Sequence, residues 1–106
     1  MRREDILEEG LEVISLLTNV PKEKILTNTR LQSIVTARRF LYYYMKTKYK
    51  LGWSTIGRLV KRNHATIMHS YKYIDECEVY DSEVRYYKLR IDNIELGDGM
   101  LTRKLL

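Results

Sequence analysis

Residues 54–79 read STIGRLV-KRN-HATIMHSYKYIDECEV, and this stretch decides the architecture. Ile56, Leu59 and Val60 recur at helical spacing before Lys61-Arg62-Asn63, and Ile67, Tyr71 and Ile74 do so after it. The three polar residues between the stripes leave room only for a tight corner joining a short helix to a longer one, His64 to about Val79. Ser54 is the expected N-cap of the first helix and Asn63 of the second, since a side-chain oxygen there accepts one of the free N–H groups. This is the outline of a helix-turn-helix, in which the first turn of the second helix enters a DNA major groove. Many small α bundles contain such a corner, so charge has to discriminate. Lys61 and Arg62 stand in the turn and His64, Ala65 and Thr66 open the second helix, whereas Asp75, Glu76 and Glu78 come only near its end. A helix dipole favours acids first and bases last. The reverse order costs stability, and it is expected where a phosphate partner meets the N-terminus.

On either side of this corner the pattern stays helical. Ile6, Val13, Ile14 and Leu17 form one stripe behind the acids Glu4, Asp5 and Glu8, an amphipathic first helix that Thr18-Asn19-Val20 ends. Pro21 opens a short second helix through about Leu26. Thr27-Asn28-Thr29 then caps a long helix from about Arg30 to Tyr49, with Ile34, Ala37, Leu41 and Met45 or Tyr44 inward. Tyr42, Tyr43 and Tyr44 follow one another at steps of about 100°, so one is expected in the core and another at the surface. Leu51-Gly52 ends that helix, Gly52 being the expected left-handed cap, and Trp53 packs inward. Asp81-Ser82 starts a last helix through about Glu95, carrying Val84, Tyr87 and Ile91 or Ile94, and Leu96-Gly97-Asp98-Gly99 breaks it. The fold class is all-α, about six helices forming one domain over residues 1–96, with the helix-turn-helix at about 54–79 and a flexible tail at 97–106.

The chain has 106 residues and a net charge of +5, and its charge is segregated. From Arg30 to Tyr73 there are ten basic residues and no acid; the flanks carry net charges of −2 before and −3 after. Forty-four residues without a carboxylate, in a chain that has fourteen, point to a polyanion at the central segment. One cysteine, Cys77, allows no internal disulfide, and one proline with five glycines argues against a turn-rich β sandwich. No apolar run approaches the roughly 20 residues of a membrane span, and no signal peptide follows Met1. A cytoplasmic location is expected, nucleoid-associated, or in the host cytoplasm if the chain is phage- or plasmid-encoded.

Two motifs carry a family resemblance. Lys61 to Ser70, K-R-N-H-A-T-I-M-H-S, resembles G-G-R-D-H-T-T-V-x-H-A at the start of the recognition helix in the C-terminal DNA-binding domain of DnaA, the bacterial chromosomal replication initiator. Ala37 to Tyr44, A-R-R-F-L-Y-Y-Y, is similar to that family's A-R-Q-x-A-M-Y-L, and Gly52 to Gly57, G-W-S-T-I-G, to its S-L-x-x-I-G. Helical spacing is similar from about Leu11 to Leu96. The resemblance implies a Trp-repressor-like helix-turn-helix that binds double-stranded DNA. It implies that Arg38 reaches into the minor groove and that Arg62, Asn63, His64 and Ala65, with Thr66 beside them, occupy the base-reading positions. Arg30 matches a basic residue near the phosphates. Arg39, Lys46, Ser54, Arg58, Lys61 and Lys72 are the further expected phosphate contacts of the basic segment. An arginine fork suits guanine or a narrow minor groove, and a Thr or Ala methyl suits thymine.

The departures concern specificity. Asn63 stands where the family has Asp, exchanging an acceptor for an amide that both donates and accepts; adenine recognition and helix capping are equally open. Ala65 lacks the hydroxyl of the family's Thr, and the turn is one residue shorter, without the Gly-Gly pair. There is no G-x-x-x-x-G-K-[ST] phosphate loop, so ATP hydrolysis is not expected, and no nucleophile–base–orienter set can be assembled, so no other enzymatic activity is expected. The chain is either one domain of a longer protein or a natural stand-alone reader, and a native-looking Met1 and a complete first helix favour the second expectation. Its tasks would be replication initiation or its regulation, or transcriptional control. The alternative is a protein-interaction module that modulates replication proteins and binds DNA only nonspecifically.

His64 and His69, five apart, cannot share a metal on one helix face, and His69 is expected as a hydrogen-bonded packing residue. Cys77 is a core or boundary residue, and the nine tyrosines pack rather than stack on bases. No cofactor or metal is expected. With no heptad and no exposed apolar helix evident, a monomer is expected.

Overall fold

The computed structural model describes residues 2–94, and among them every regular element is a helix. They run α1 (Arg3–Thr18), α2 (Lys22–Ile25), α3 (Gln32–Tyr49), α4 (Trp53–Val60), α5 (His64–Cys77) and α6 (Ser82–Asp92). The expected break at Leu96–Gly99 and the flexible tail at 97–106 lie outside the described residues. No helix among the described residues is long and apolar enough to cross a membrane.

Helix α3 is the hub, because every other helix packs on it. This overturns the expected split of Tyr42, Tyr43 and Tyr44: all three are buried, at 1%, 3% and 0% exposure. Successive residues do point 100° apart, but α3 is covered on several sides, so each direction finds a neighbour. Tyr43 stacks on Tyr71 of α5 with ring centroids 5.4 Å apart, and its hydroxyl donates to Asp92 Oδ1 at 2.7 Å. Tyr44 faces α1, where its hydroxyl donates to Glu9 Oε1 at 2.9 Å, and Tyr49 donates to the other oxygen of the same carboxylate. The α1–α3 approach is close at Gly10, where a Cβ would lie 2.9 Å from Leu41 Cδ1.

These phenols make the fold alkali-sensitive. Burial, then the hydrogen bonds to Glu9 and Asp92, push Tyr44 and Tyr43 far up, and the same causes push Tyr49 up to about 12. A raised folded value adds stability below the unfolded value near 10.0, and that stability is lost as pH climbs toward the folded value. The melting temperature is therefore expected to fall steadily from about pH 10 upward, with tyrosinate absorbance rising alongside it. A flat profile through pH 12 would contradict the burial of these hydroxyls.

Several expected boundaries move. Helix α3 begins at Gln32 after Leu31, which offers no side-chain cap, so Thr29 is not its N-cap; Thr29 Oγ1 instead accepts from the Leu31 N–H at 3.3 Å and shapes the loop. The left-handed residue after α3 is Lys50, at φ 54°, not Gly52. Gly52 is extended at φ −70° and is the N-cap of α4, which begins at Trp53, so Ser54 lies inside the first turn and caps nothing. Trp53 is half-buried, its edge on Tyr71 and the Lys46 ammonium 4.2 Å above its ring. Asn63 is a side-chain cap as expected, and Asp81, where the last helix was expected to start, caps α6 through its side chain. Helix α6 buries only Val84 and Ile91, leaving Tyr86 and Leu89 exposed, with Val79 and Tyr80 exposed in the turn before it. Exposed apolar side chains are thus present where none was expected, because α6 packs through one narrow edge.

Candidate nucleic-acid interface

The α4–α5 corner is built by its backbone. Lys61 takes a left-handed conformation at φ 58°, and its N–H and that of Arg62 both turn back to the Gly57 carbonyl, the latter at 2.9 Å. Asn63 then returns the chain to extended geometry, and its Oδ1 accepts from the Ala65 N–H at 2.8 Å. With that cap setting the phase, Ile67 and Ile74 point to the core, while His64, Ala65, Thr66 and His69 face outward. His69 is therefore exposed, correcting the expectation of a packing residue: it stands two positions from buried Ile67, about 200° around the helix.

The cap gives a direct test of the two roles open to Asn63. Asn63→Ala should cost about 1 kcal/mol in urea unfolding, whereas Asn63→Asp, which keeps the accepting oxygen, should cost little. If the aspartate variant were as unstable as the alanine one, capping would not be what Asn63 supplies.

Two shallow concavities adjoin at this corner. The first is lined by Ser54, Gly57, Arg58, Lys61, Arg62, Asn63 and His64. The second lies between α3 and α5 and is lined by Val35, Arg38, Arg39, Tyr42, Arg62, Thr66 and Ser70. Arg62 belongs to both, so the arginine of the long helix and the opening turn of α5 share one surface although far apart in sequence. Further along α5, Thr66, His69, Ser70 and Tyr73 line a third depression beside Arg39, whose guanidinium lies 3.9 Å from the Tyr73 ring centroid.

The other expected site residues lie outside these two concavities. Arg30 is exposed in the loop before α3, and Ala65 is exposed on the first turn of α5. Lys46 lies over Trp53, and Lys72 sits 3.9 Å from Glu76 farther along α5, a weak exposed pair.

Arg38 and Arg62 have a feature that sequence does not signal. Arg38 Nε donates to the Ile25 carbonyl at 3.0 Å and its Nη2 to that of Thr29 at 2.9 Å. Arg62 Nη2 donates to the carbonyls of Leu26 and Thr27 at 3.1 and 3.2 Å. Both guanidiniums thus clamp the segment between α2 and α3, and burial lowers Arg38 from its ordinary value, with the charges of Arg62 and Arg39 adding to the effect.

Tyr42 and Ser70 are the hydroxyl-bearing lining residues of the second concavity that sequence reasoning missed. Helical spacing held the signal, since Tyr42 is four residues after Arg38 and Ser70 four after Thr66. Burial raises the Tyr42 hydroxyl above its ordinary value, while the charges of Arg62 and Arg38 oppose the rise.

The family model described as the bacterial dnaA protein helix-turn-helix matches residues 8–74. Among curated proteins, the chromosomal replication initiator protein DnaA of Thermotoga maritima is 33% identical over 72 residues, which is 68% of this chain and 16% of that protein. The protein of the same name from Kosmotoga olearia is 28% identical over 89 residues, 84% of this chain and 19% of the relative. That of Campylobacter curvus is 31% identical over 104 residues, 96% of this chain and 23% of the relative. The chain therefore spans less than a quarter of the length of these relatives. No solved structure matches it. The family match runs from α1 to Ile74 in α5 and so takes in the whole α4–α5 corner and the arginines of α3: the chain belongs to the bacterial dnaA helix-turn-helix family.

Proposed function

We propose that this protein is a sequence-specific reader of double-stranded DNA, acting in replication initiation or its regulation, or in transcriptional control. The observation that carries the reading is the joining of the two concavities through Arg62. It sets Arg38 beside the capped N-terminus of α5, on an acid-free stretch of chain. Arg38 serves the minor groove, and Arg62, Asn63, His64, Ala65 and Thr66 face the bases of the major groove. Arg30, Arg39, Lys46, Ser54, Arg58, Lys61 and Lys72 are the phosphate contacts that hold the register, with Lys72 the weakest because Glu76 competes for it.

Selection from randomised duplex DNA at physiological salt tests the reading. A defined motif should be enriched, and binding to it should fall with salt at a log–log slope of roughly −5 to −9. No enrichment, with a shallow slope, would defeat it. A second reading, a protein-interaction module for replication proteins, draws on exposed Val79, Tyr80, Tyr86 and Leu89. Under it, Arg38→Ala would leave the protein's activity intact.

A further inference from the structure

The strongest unexplained feature of the molecule is the Tyr42 hydroxyl. Its residue is 1% exposed, the oxygen is sealed from solvent, and although the Arg62 guanidinium lies close enough to influence it, no acceptor for its proton is in place among the described residues. It stands in the concavity that Arg38, Arg39 and Arg62 also line, with the hydroxyl-bearing Thr66 and Ser70 across from it on α5. A tyrosine hydroxyl can donate one proton and accept others, whereas a guanidinium can only donate. The arginines around it can therefore never take its proton, and what this hydroxyl lacks is an acceptor. A buried donor left without one is costly, and Phe would fill the same ring position without that cost.

We infer that this concavity is a seat for one backbone phosphate of bound DNA, with the Tyr42 hydroxyl donating to a phosphodiester oxygen that the Arg38, Arg39 and Arg62 guanidiniums neutralise. The inference rests on the DNA-binding reading above and adds a phosphate contact outside the recognition helix. The chemistry is matched on both sides: the site offers three cations and an unfilled donor, and a phosphodiester offers one negative charge and acceptor oxygens only. Arg38 and Arg62 are held on the carbonyls of residues 25–29 over this hydroxyl's cleft. Each guanidinium carries five N–H donors, so the two can neutralise a phosphate in the cleft and still present donors to a groove.

The test uses Tyr42→Phe and Ser70→Ala on the full chain, with a duplex enriched by selection and an unrelated duplex. Tyr42→Phe should melt at or above the wild-type temperature, since it removes an unpaired buried donor. It should weaken binding roughly tenfold on both duplexes, as loss of a hydrogen bond to a charged oxygen does. The salt slope should not change, because no charge is lost. Replacing single phosphates by neutral methylphosphonates should reveal one position where the wild type loses affinity and Tyr42→Phe loses less. Ser70→Ala should weaken the same position more mildly. Wild-type affinity for Tyr42→Phe at every phosphate would overturn the inference while leaving the DNA reading intact. A loss confined to the selected duplex would also overturn it, by making the hydroxyl a base contact. Failure of the wild type to bind any duplex would remove both.

Discussion

Gly57→Ala is expected to destabilise the protein by about 1–3 kcal/mol, even though alanine is the better helix former. Gly57 lies inside α4, where exchange for alanine on propensity alone would gain up to about 1 kcal/mol. Space decides the sign. A Cβ there would lie 2.7 Å from the Arg62 carbonyl oxygen, 3.4 Å from the His64 nitrogen and 3.5 Å from its Cα. All three atoms are backbone, so no rotamer change relieves the contact. The corner would have to open, disturbing the turn in which the Gly57 carbonyl accepts from the N–H groups of Lys61 and Arg62. Since α5 would shift against α3, DNA affinity should fall together with stability. Urea unfolding would show a lower midpoint with an unchanged slope. An alanine variant as stable as wild type, as propensity predicts, would show that the corner is not held this tightly.

Arg62→Ala should produce a compound loss. Its guanidinium ties the carbonyls of Leu26 and Thr27, 36 and 35 residues away, to the α4–α5 turn. Charge-assisted bonds of this kind are the stronger ones, and losing them in a part-buried setting should cost about 1–2 kcal/mol of stability. If Arg62 reads a base as proposed, its removal should weaken specific DNA binding by a further 1–3 kcal/mol or so. Arg62→Lys separates charge from geometry. It should recover much of the nonspecific, salt-dependent affinity but neither the sequence discrimination nor the amide-exchange protection of the 26–31 segment, because a point charge lacks the planar fork. If Arg62→Ala lost stability but kept its sequence discrimination, Arg62 would be a brace and not a reader.

The α4–α5 corner, the cap at Asn63 and the start of the last helix at Asp81-Ser82 were legible because they are local: apolar periodicity and a short polar side chain act within a few residues. The same local logic misplaced Ser54, Thr29 and Gly52. At each, a residue able to cap lay within two or three positions of the true helix end, and the packing of the loop chose another. The outward placement of His64, Ala65 and Thr66 was legible too, since the phase set by Asn63 follows from sequence once the cap is known. The bracing role of Arg38 and Arg62 was not. Their acceptors are backbone carbonyls, which every residue carries and no residue type announces.

By itself, then, the sequence determined an all-α fold of about six helices, the number found among the described residues, a tight corner between the fourth and fifth, and an acid-free basic stretch across it. Each follows from forces acting over a turn or two of chain, or from simple charge. Only the tertiary structure decided that Tyr42, Tyr43 and Tyr44 are all interior, that Gly10 lets α1 approach α3, and that Arg38 and Arg62 meet over one cleft. The reason is geometric. Periodicity specifies which way a side chain points around its own helix axis, but the number of helices surrounding that axis depends on the whole chain. Around α3 that number is five, so directions that would face solvent on a peripheral helix are buried here.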